Sequence, residues 1–286
     1  VNLQRGTVGL IRVVTDNGSD LPASLLELHG IVEVPLDVRL GDTDAAELRG
    51  VSAERFWEIA RRSEALAATS APAPGAFHDV FAAAADDGCS GVVCVTLSSG
   101  LSATYQAARA GAEPFAGKFP VAVIDSLAAT VAEGLLAIEA AELAAAGAAF
   151  DDIVATVRAD VEKTFVYGTL ETLEYLRRGG RIGNAQAFFG SMLSIKPVIT
   201  MRAGVVEPES RQRTRARSLE YLAGILGRLG PLKRLAVGHA DADDVDVFLD
   251  LCAPYFSRSE TLVACIGPII GAHTGPGTIA ACPILQ

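Results

Sequence analysis

Residues 91–112 read "GVVCVTLSSGLSATYQAARAGA". The opening "GVVCVTL" is a continuous apolar run rich in β-branched residues, the pattern of a strand buried on both faces. A hydroxyl-rich turn, "SSGLS", follows, and "ATYQAARAGA" then carries a helical pattern. Other segments of the first half repeat this plan. "LIRVVT" (10–15) ends in "DNGSD", and Pro22 opens a helix in "LPASLLELHG". "VEVPLDVRL" (32–40) is another extended run. "VAVIDS" (121–126) ends in Asp125 and Ser126, followed by the Ala- and Leu-rich helix "AATVAEGLLAIEAAELAAAG". "APGAFHDVFAAAADDG" adds a helix ahead of the 91–97 strand. Such alternation predicts an α/β fold whose parallel sheet is covered on both faces.

The pattern becomes less regular near Asp151. "DDIVATVRADVEKT" is helical, "FVYGTL" strand-like, and "ETLEYLRRGG" a helix closed by Gly179 and Gly180. "AQAFFGSMLS" reads as an apolar helix, and "KPVITMRAGVVEP" as a hairpin turning at Ala203-Gly204. A long amphipathic helix, "TRARSLEYLAGILGRLG", precedes the strand "KRLAVGHA". In "HADADD" the acidic residues read as a helix start, with Asp241 as cap and Asp243 and Asp244 favouring the dipole. Strands around a glycine-rich loop, "GAHTGPG" (271–277), close the chain. The hairpin implies a mixed sheet, so the expected division is a parallel-sheet α/β domain at 1–150 and a mixed-sheet α/β domain at 151–286.

Composition narrows the function. The chain has 286 residues, half of them hydrophobic, and a formal charge of -10. That charge disfavours general nucleic-acid or anionic-membrane binding. Lys118, Lys163, Lys196 and Lys233 are the only lysines, so arginine supplies nearly all positive charge. Cys89, Cys94, Cys252, Cys265 and Cys282 form no paired spacing and read as reduced, buried thiols. No signal peptide is read, and no apolar run reaches the roughly 18 residues of a membrane span. The expectation is a cytoplasmic protein without stable membrane insertion. Nucleotide-binding loops of the GxxxxGK[ST] and GxGxxG types are missing. His29, His78, His239 and His273 are scattered without metal-ligand spacing, so neither cofactor nor metal is expected.

What remains is a set of hydroxyls at strand and helix ends. Thr69 and Ser70 open "TSAPAPG" (69–75), and Ser98, Ser99 and Ser102 make up the "SSGLS" turn. Neither cluster contains a base or a carboxylate. Loops at helix starts favour anions through free N–H groups and the helix dipole. His273, among glycines in "GAHTGPG", is read as a donor to a buried anion or as an acid/base. An SSGLS serine with His273 would also suit a serine hydrolase or esterase, although no G-x-S-x-G elbow is present.

Taken in order, "VVTDNGSDLP", "TSAPAPGAF", "LSSGLSATYQAA", "VIDSLAATVAEGL", "YGTLETLEYLRRGGRIGNAQAFFGSMLSIKPVIT", "RTRARSLEYL" and "IGPIIGAHTGPGTIA" resemble the bacterial DegV family, from about residue 11 to residue 281. That resemblance implies a two-domain α/β fold with a long-chain fatty acid, such as palmitate, stearate or oleate, between the domains. It implies a carboxylate held by Thr69, Ser70, serines among Ser98, Ser99 and Ser102, and His273. It further implies that the chain is no enzyme, and presents its ligand to a separate fatty acid kinase that makes an acyl phosphate for phospholipid synthesis. A related fold serves sugar-phosphate or dihydroxyacetone-type kinases, so a small phosphorylated ligand is the alternative from that side. Relative to the family, Asn17, Ala71, Ala73, Ala103, Leu127 and Ala128 are departures that lighten the polar shell. Phe165, Phe188, Phe189 and Leu193 are candidates for the tail pocket. Arg177, Arg178 and Arg181 in "RRGGRIG", with Arg213 in "RQRTRAR", form positive patches suited to docking an acidic kinase surface.

Overall fold

A computed structural model describes residues 10–41, 48, 50–63, 65, 67–188 and 195–286. The strands are β1 (Ile11–Asp16), β2 (Ile31–Val34), β3 (Asp37–Leu40), β4 (Ala67–Ser70), β5 (Gly91–Thr96), β6 (Val121–Asp125), β7 (Tyr167–Thr169), β8 (Lys196–Arg202), β9 (Val205–Gln212), β10 (Leu232–His239), β11 (Leu262–Cys265) and β12 (Ile279–Leu285). The helices are α1 (Ala23–His29), α2 (Ala53–Ala60), α3 (Pro74–Asp86), α4 (Thr104–Ala112), α5 (Val131–Ala145), α6 (Phe150–Val161), α7 (Glu174–Arg178), α8 (Arg215–Leu229), α9 (Val245–Cys252) and α10 (Pro268–Thr274).

The architecture is mixed α/β with two main sheets. One is wholly parallel, in the order β2-β1-β5-β6. The other runs β11-β10-β12-β7-β8-β9 and is antiparallel except where β10 pairs with β11. The expected hairpin is β8–β9, and its turn residues Ala203 and Gly204 both have positive φ, 48° and 80°. Helix α5 explains how the sheets join. Its residues 131–141 are buried on every face, Glu133 and Glu139 among them. Val131, Leu135, Leu136 and Ile138 pack with Val13, Val93 and Ile124 of the parallel sheet and with Ala236, Ala280 and Ile284 of the mixed one. One core therefore spans both sheets. Truncating Leu136, fully buried, to alanine would cost about 2–5 kcal/mol.

Several local expectations change. The run 32–40 breaks at Pro35. Its first part joins the parallel sheet as β2, and its second turns away as β3 to pair with β4 in a separate two-stranded ribbon. "GAHTGPG" does not begin as a loop: His273 lies in α10, which starts at Pro268 and ends before Gly275 at φ 78°. The run 185–194 was expected to be helical; Gly183–Phe188 forms a 3-10 segment, and 189–194 lie outside the described residues. Asp241 does not cap α9. It adopts φ 51° and pairs with Arg61, while Asp244 stands at the N-cap and takes both arms of Arg215 at 2.8 Å.

Candidate functional site

Between the two sheets and the β3–β4 ribbon lies a cavity walled by Leu36, Leu97, Leu101, Leu170, Ile199, Met201, Val206, Ile266, Ile269 and Ile270. About 870 Å³ of space there is free of protein atoms, part of it open to solvent. Ligand sites commonly measure about 300–1,000 Å³. Thr69, Ser102, Arg181 and His273 lie on its lining, as do Thr130, Thr200, Thr274 and Thr278.

Each of the first four is placed by its element. Strand alternation sends Thr69 of β4 inward and leaves its neighbour Ser70 exposed. Thr69 Oγ1 lies 2.9 Å from His273 Nε2. Helix α10 carries that imidazole and is anchored at its start, where Asp20 Oδ1 accepts from the Gly267 N–H at 2.8 Å. Along it, Gly271 permits contact with Trp57: a Cβ at 271 would meet the indole at 2.6 Å. Burial, with the nearby Arg181 charge, lowers the His273 pKa to about 4, so the ring is neutral at pH 7. Its Nδ1 is buried without a hydrogen-bond partner. Gly179 backs directly onto that nitrogen, and a Cβ there would sit 2.1 Å from it.

Ser102 Oγ stands 2.8 Å from Thr104 Oγ1 and also accepts from the Thr104 N–H, at the start of α4. Arg181 spends Nε on the Leu101 carbonyl at 3.0 Å and Nη1 on the Gly179 carbonyl at 2.8 Å. Its charge is near enough to His273 to help lower that ring's pKa.

Not every predicted residue joins this group. Ser70 points to solvent. Ser98 is fully buried and donates to the Gly204 carbonyl at 2.7 Å. It thereby ties the SSGLS turn to the β8–β9 turn, and Gly100 allows the approach, since a Cβ there would lie 2.5 Å from the Gly204 oxygen. Ser99 donates its backbone N–H to Asp125 at 3.1 Å, and its side chain is not on the cavity wall. Phe165 packs in the core beneath β10 and stacks on Tyr167; Phe188 lies under the Arg211 guanidinium, 4.5 Å from ring centre to Cζ. Neither lines the cavity. Phe189 and Leu193 lie outside the described residues. Arg177 and Arg178 are exposed and share the Glu174 carboxylate at 2.5 Å, while Arg213 is exposed on the stretch between β9 and α8.

Arg181 is the residue that sequence reasoning misassigned, having grouped it with the surface patch. The signal was the glycine pair preceding it. Gly180, at φ 69°, reverses the chain after α7, so the third arginine of "RRGGR" points inward while the first two remain outside. Among the described residues no cluster of metal-ligand type is found, and no helix is long and apolar enough to cross a membrane.

A parallel sheet and a mixed sheet sharing one core, with an apolar cavity headed by hydroxyls, an imidazole and one guanidinium, define a distinct class of two-sheet α/β protein. The chain belongs to the DegV family: the family model, described as "Uncharacterised protein, DegV family", matches residues 10–285. It is 36% identical to a DegV domain-containing protein of Streptomyces coelicolor over 94% of this chain and 96% of that one. Protein DegV of Bacillus subtilis is 30% identical over 95% and 98%. Among solved structures, a fatty-acid-binding DegV family protein from Thermus thermophilus matches with a TM-score of 0.86 at 32% identity, over 97% of this chain and all of that one. DegV of Bacillus subtilis, described as a fatty acid binding protein, matches at 0.79 with 27% identity, over 97% and 100%.

Proposed function

We propose that this protein binds one long-chain fatty acid with its tail in the cavity and its carboxylate among Thr69, Ser102, His273 and Arg181, and that it presents this carboxylate to a separate fatty acid kinase. The observation that carries the reading is the Thr69–His273 contact at 2.9 Å on the wall of a largely apolar cavity that Ser102 and Arg181 also line. Each buried methylene is worth about 0.8 kcal/mol, so a tail of about fourteen methylenes offers on the order of 11 kcal/mol before association costs. The head group need not supply affinity. It has only to avoid an unpaired buried charge.

A neutral imidazole and two hydroxyls hold the carboxylate without a salt bridge of full strength, because two donors of Arg181 are already committed to backbone carbonyls. The oxygen then remains available to a phosphoryl donor. Kinase docking falls to the exposed arginines Arg178 and Arg213. The chain itself is read as non-catalytic: Ser98 is locked onto Gly204, and His273 Nδ1 has no carboxylate to orient it as a triad requires.

Native mass spectrometry of protein purified from cells tests the proposal. A bound fatty acid is expected, displaced by added palmitate, stearate or oleate. Protein that arrives empty and takes up none of the three overturns it.

A further inference from the structure

The parallel sheet ends at β6, which pairs only with β5 among the described residues. Val92 donates its N–H to the Pro120 carbonyl at 2.9 Å, and Ser126 donates to the Thr96 carbonyl at 3.1 Å. Bonds in a parallel pair recur at every second residue of a strand, so Ala122 and Ile124 turn their backbone groups to β5. The N–H and C=O groups of Val121 and Val123 therefore point outward, where the described residues supply no further strand. An open edge of this kind is a template for another chain.

The edge lies in a groove. About 1080 Å³ of space along it is free of protein atoms, much of it open to solvent. Val121 and Val123, both half-buried, pack with Phe115 and Phe119 on the sheet face that α3 and α4 cover. Phe150 of α6 packs with Ile124 on the opposite face, and it lines the groove too. The groove thus straddles the edge, with a helix at each side. Each of those helices contributes one cation. Arg109 of α4 lies over the Tyr105 ring, 5.8 Å from its centre, and Arg158 of α6 stands across the edge. Both are exposed, and neither pairs with a carboxylate among the described residues. Glu113 is the one carboxylate on the described lining, so positive charge prevails locally in a chain of formal charge -10. Two copies joined across this edge by a two-fold axis would bring the same positive patch onto itself. An acidic segment complements it.

We propose that β6 is a docking edge for an extended acidic segment of a partner protein, which adds to the four-stranded parallel sheet as its next strand. The open backbone groups of Val121 and Val123 pair with its main chain. Successive residues of a strand point to opposite faces, so two acidic side chains an odd number of positions apart reach Arg109 and Arg158. A β-branched or aromatic neighbour rests against Phe115 and Phe119. No residue lines both this groove and the fatty-acid cavity, so the inference stands apart from the fatty-acid reading.

The test is selection of short random-sequence peptides, displayed on phage, against the purified chain. Selected sequences are expected to be rich in Asp, Glu and β-branched residues. Their affinity should fall about tenfold for the Arg109→Glu/Arg158→Glu double variant, the scale of two exposed ion pairs, and should weaken as salt rises. Hydrogen exchange on the unaltered chain supplies a reading that needs no variant. The Val121 and Val123 amides should exchange fast in the free chain and slow when the best peptide binds. A selection that yields no binder overturns the proposal, as do binders without acidic residues. Equal affinity for a folded double variant, or amides at 121 and 123 that stay unprotected, overturns it as well. Protection of the same two amides in a dimer of the chain alone would assign the edge to a second copy and overturn the acidic partner.

Discussion

Replacing Gly179 with alanine tests the head group without touching any residue proposed to contact the ligand. The backbone at 179 has φ -73°, which alanine adopts freely. The new methyl would lie 2.1 Å from His273 Nδ1, whereas an ordinary non-bonded contact is roughly 3.5 Å. The imidazole must retreat by more than about 1 Å. Its 2.9 Å contact with Thr69 then opens beyond hydrogen-bond range, and both groups lose their aim at the carboxylate. A hydrogen bond to a charged group is worth about 1.5–3 kcal/mol, so affinity for palmitate should fall by about 10- to 150-fold. Gly180→Ala is the matched control. It has no atom within 4 Å of its added methyl but sits at φ 69°, so it should cost about 1 kcal/mol of stability and no affinity. Titration calorimetry on delipidated protein, with melting temperatures for both variants, separates the two effects. Affinity within twofold of the unaltered chain for Gly179→Ala, in a folded protein, would refute a head-group role for the imidazole.

Through three buried carboxyls, stability should fall as pH rises from about 4 to about 7. Burial raises Asp16 to about 6 and Asp20 and Glu33 to about 7. A group whose pKa is raised by folding contributes stability below its ordinary pKa and loses it as pH passes the folded value. Asp20→Asn should flatten the melting-temperature slope, and a slope that is unchanged would count against this account. His273 has the opposite sign, its stabilisation being lost as pH falls from about 6.5 to 4, so the comparison belongs above pH 6. Charge reversal at Arg178 and Arg213 should leave bound lipid unchanged but reduce acyl-phosphate formation by the kinase, less so at higher ionic strength, where the reversed charges are screened. Equal loss of both in the same preparation would mean these arginines serve the fold or the ligand. The purified chain should not turn over simple acyl esters, and turnover abolished by Ser99→Ala would promote the hydrolase reading.

The order of strands and helices was largely legible because it follows from local periodicity. A β-branched run such as 91–97 and an Ala- and Leu-rich helix such as α5 announce themselves within their own windows. The choice among hydroxyls was not legible. Ser98 and Ser102 are equivalent in the sequence, yet Ser98 is claimed by a carbonyl at residue 204 and Ser102 is left on the cavity wall. His273 looked like a loop residue because glycines surround it. It is helical because Pro268 opens α10 and Asp20, far away in the chain, holds the first free N–H. Arg181 was misjudged for the same reason. A side chain's chemistry is written in its own residue, but whether it meets solvent, a backbone carbonyl or a cavity depends on groups brought up from distant segments, and only the packed sheets decide which of them arrive.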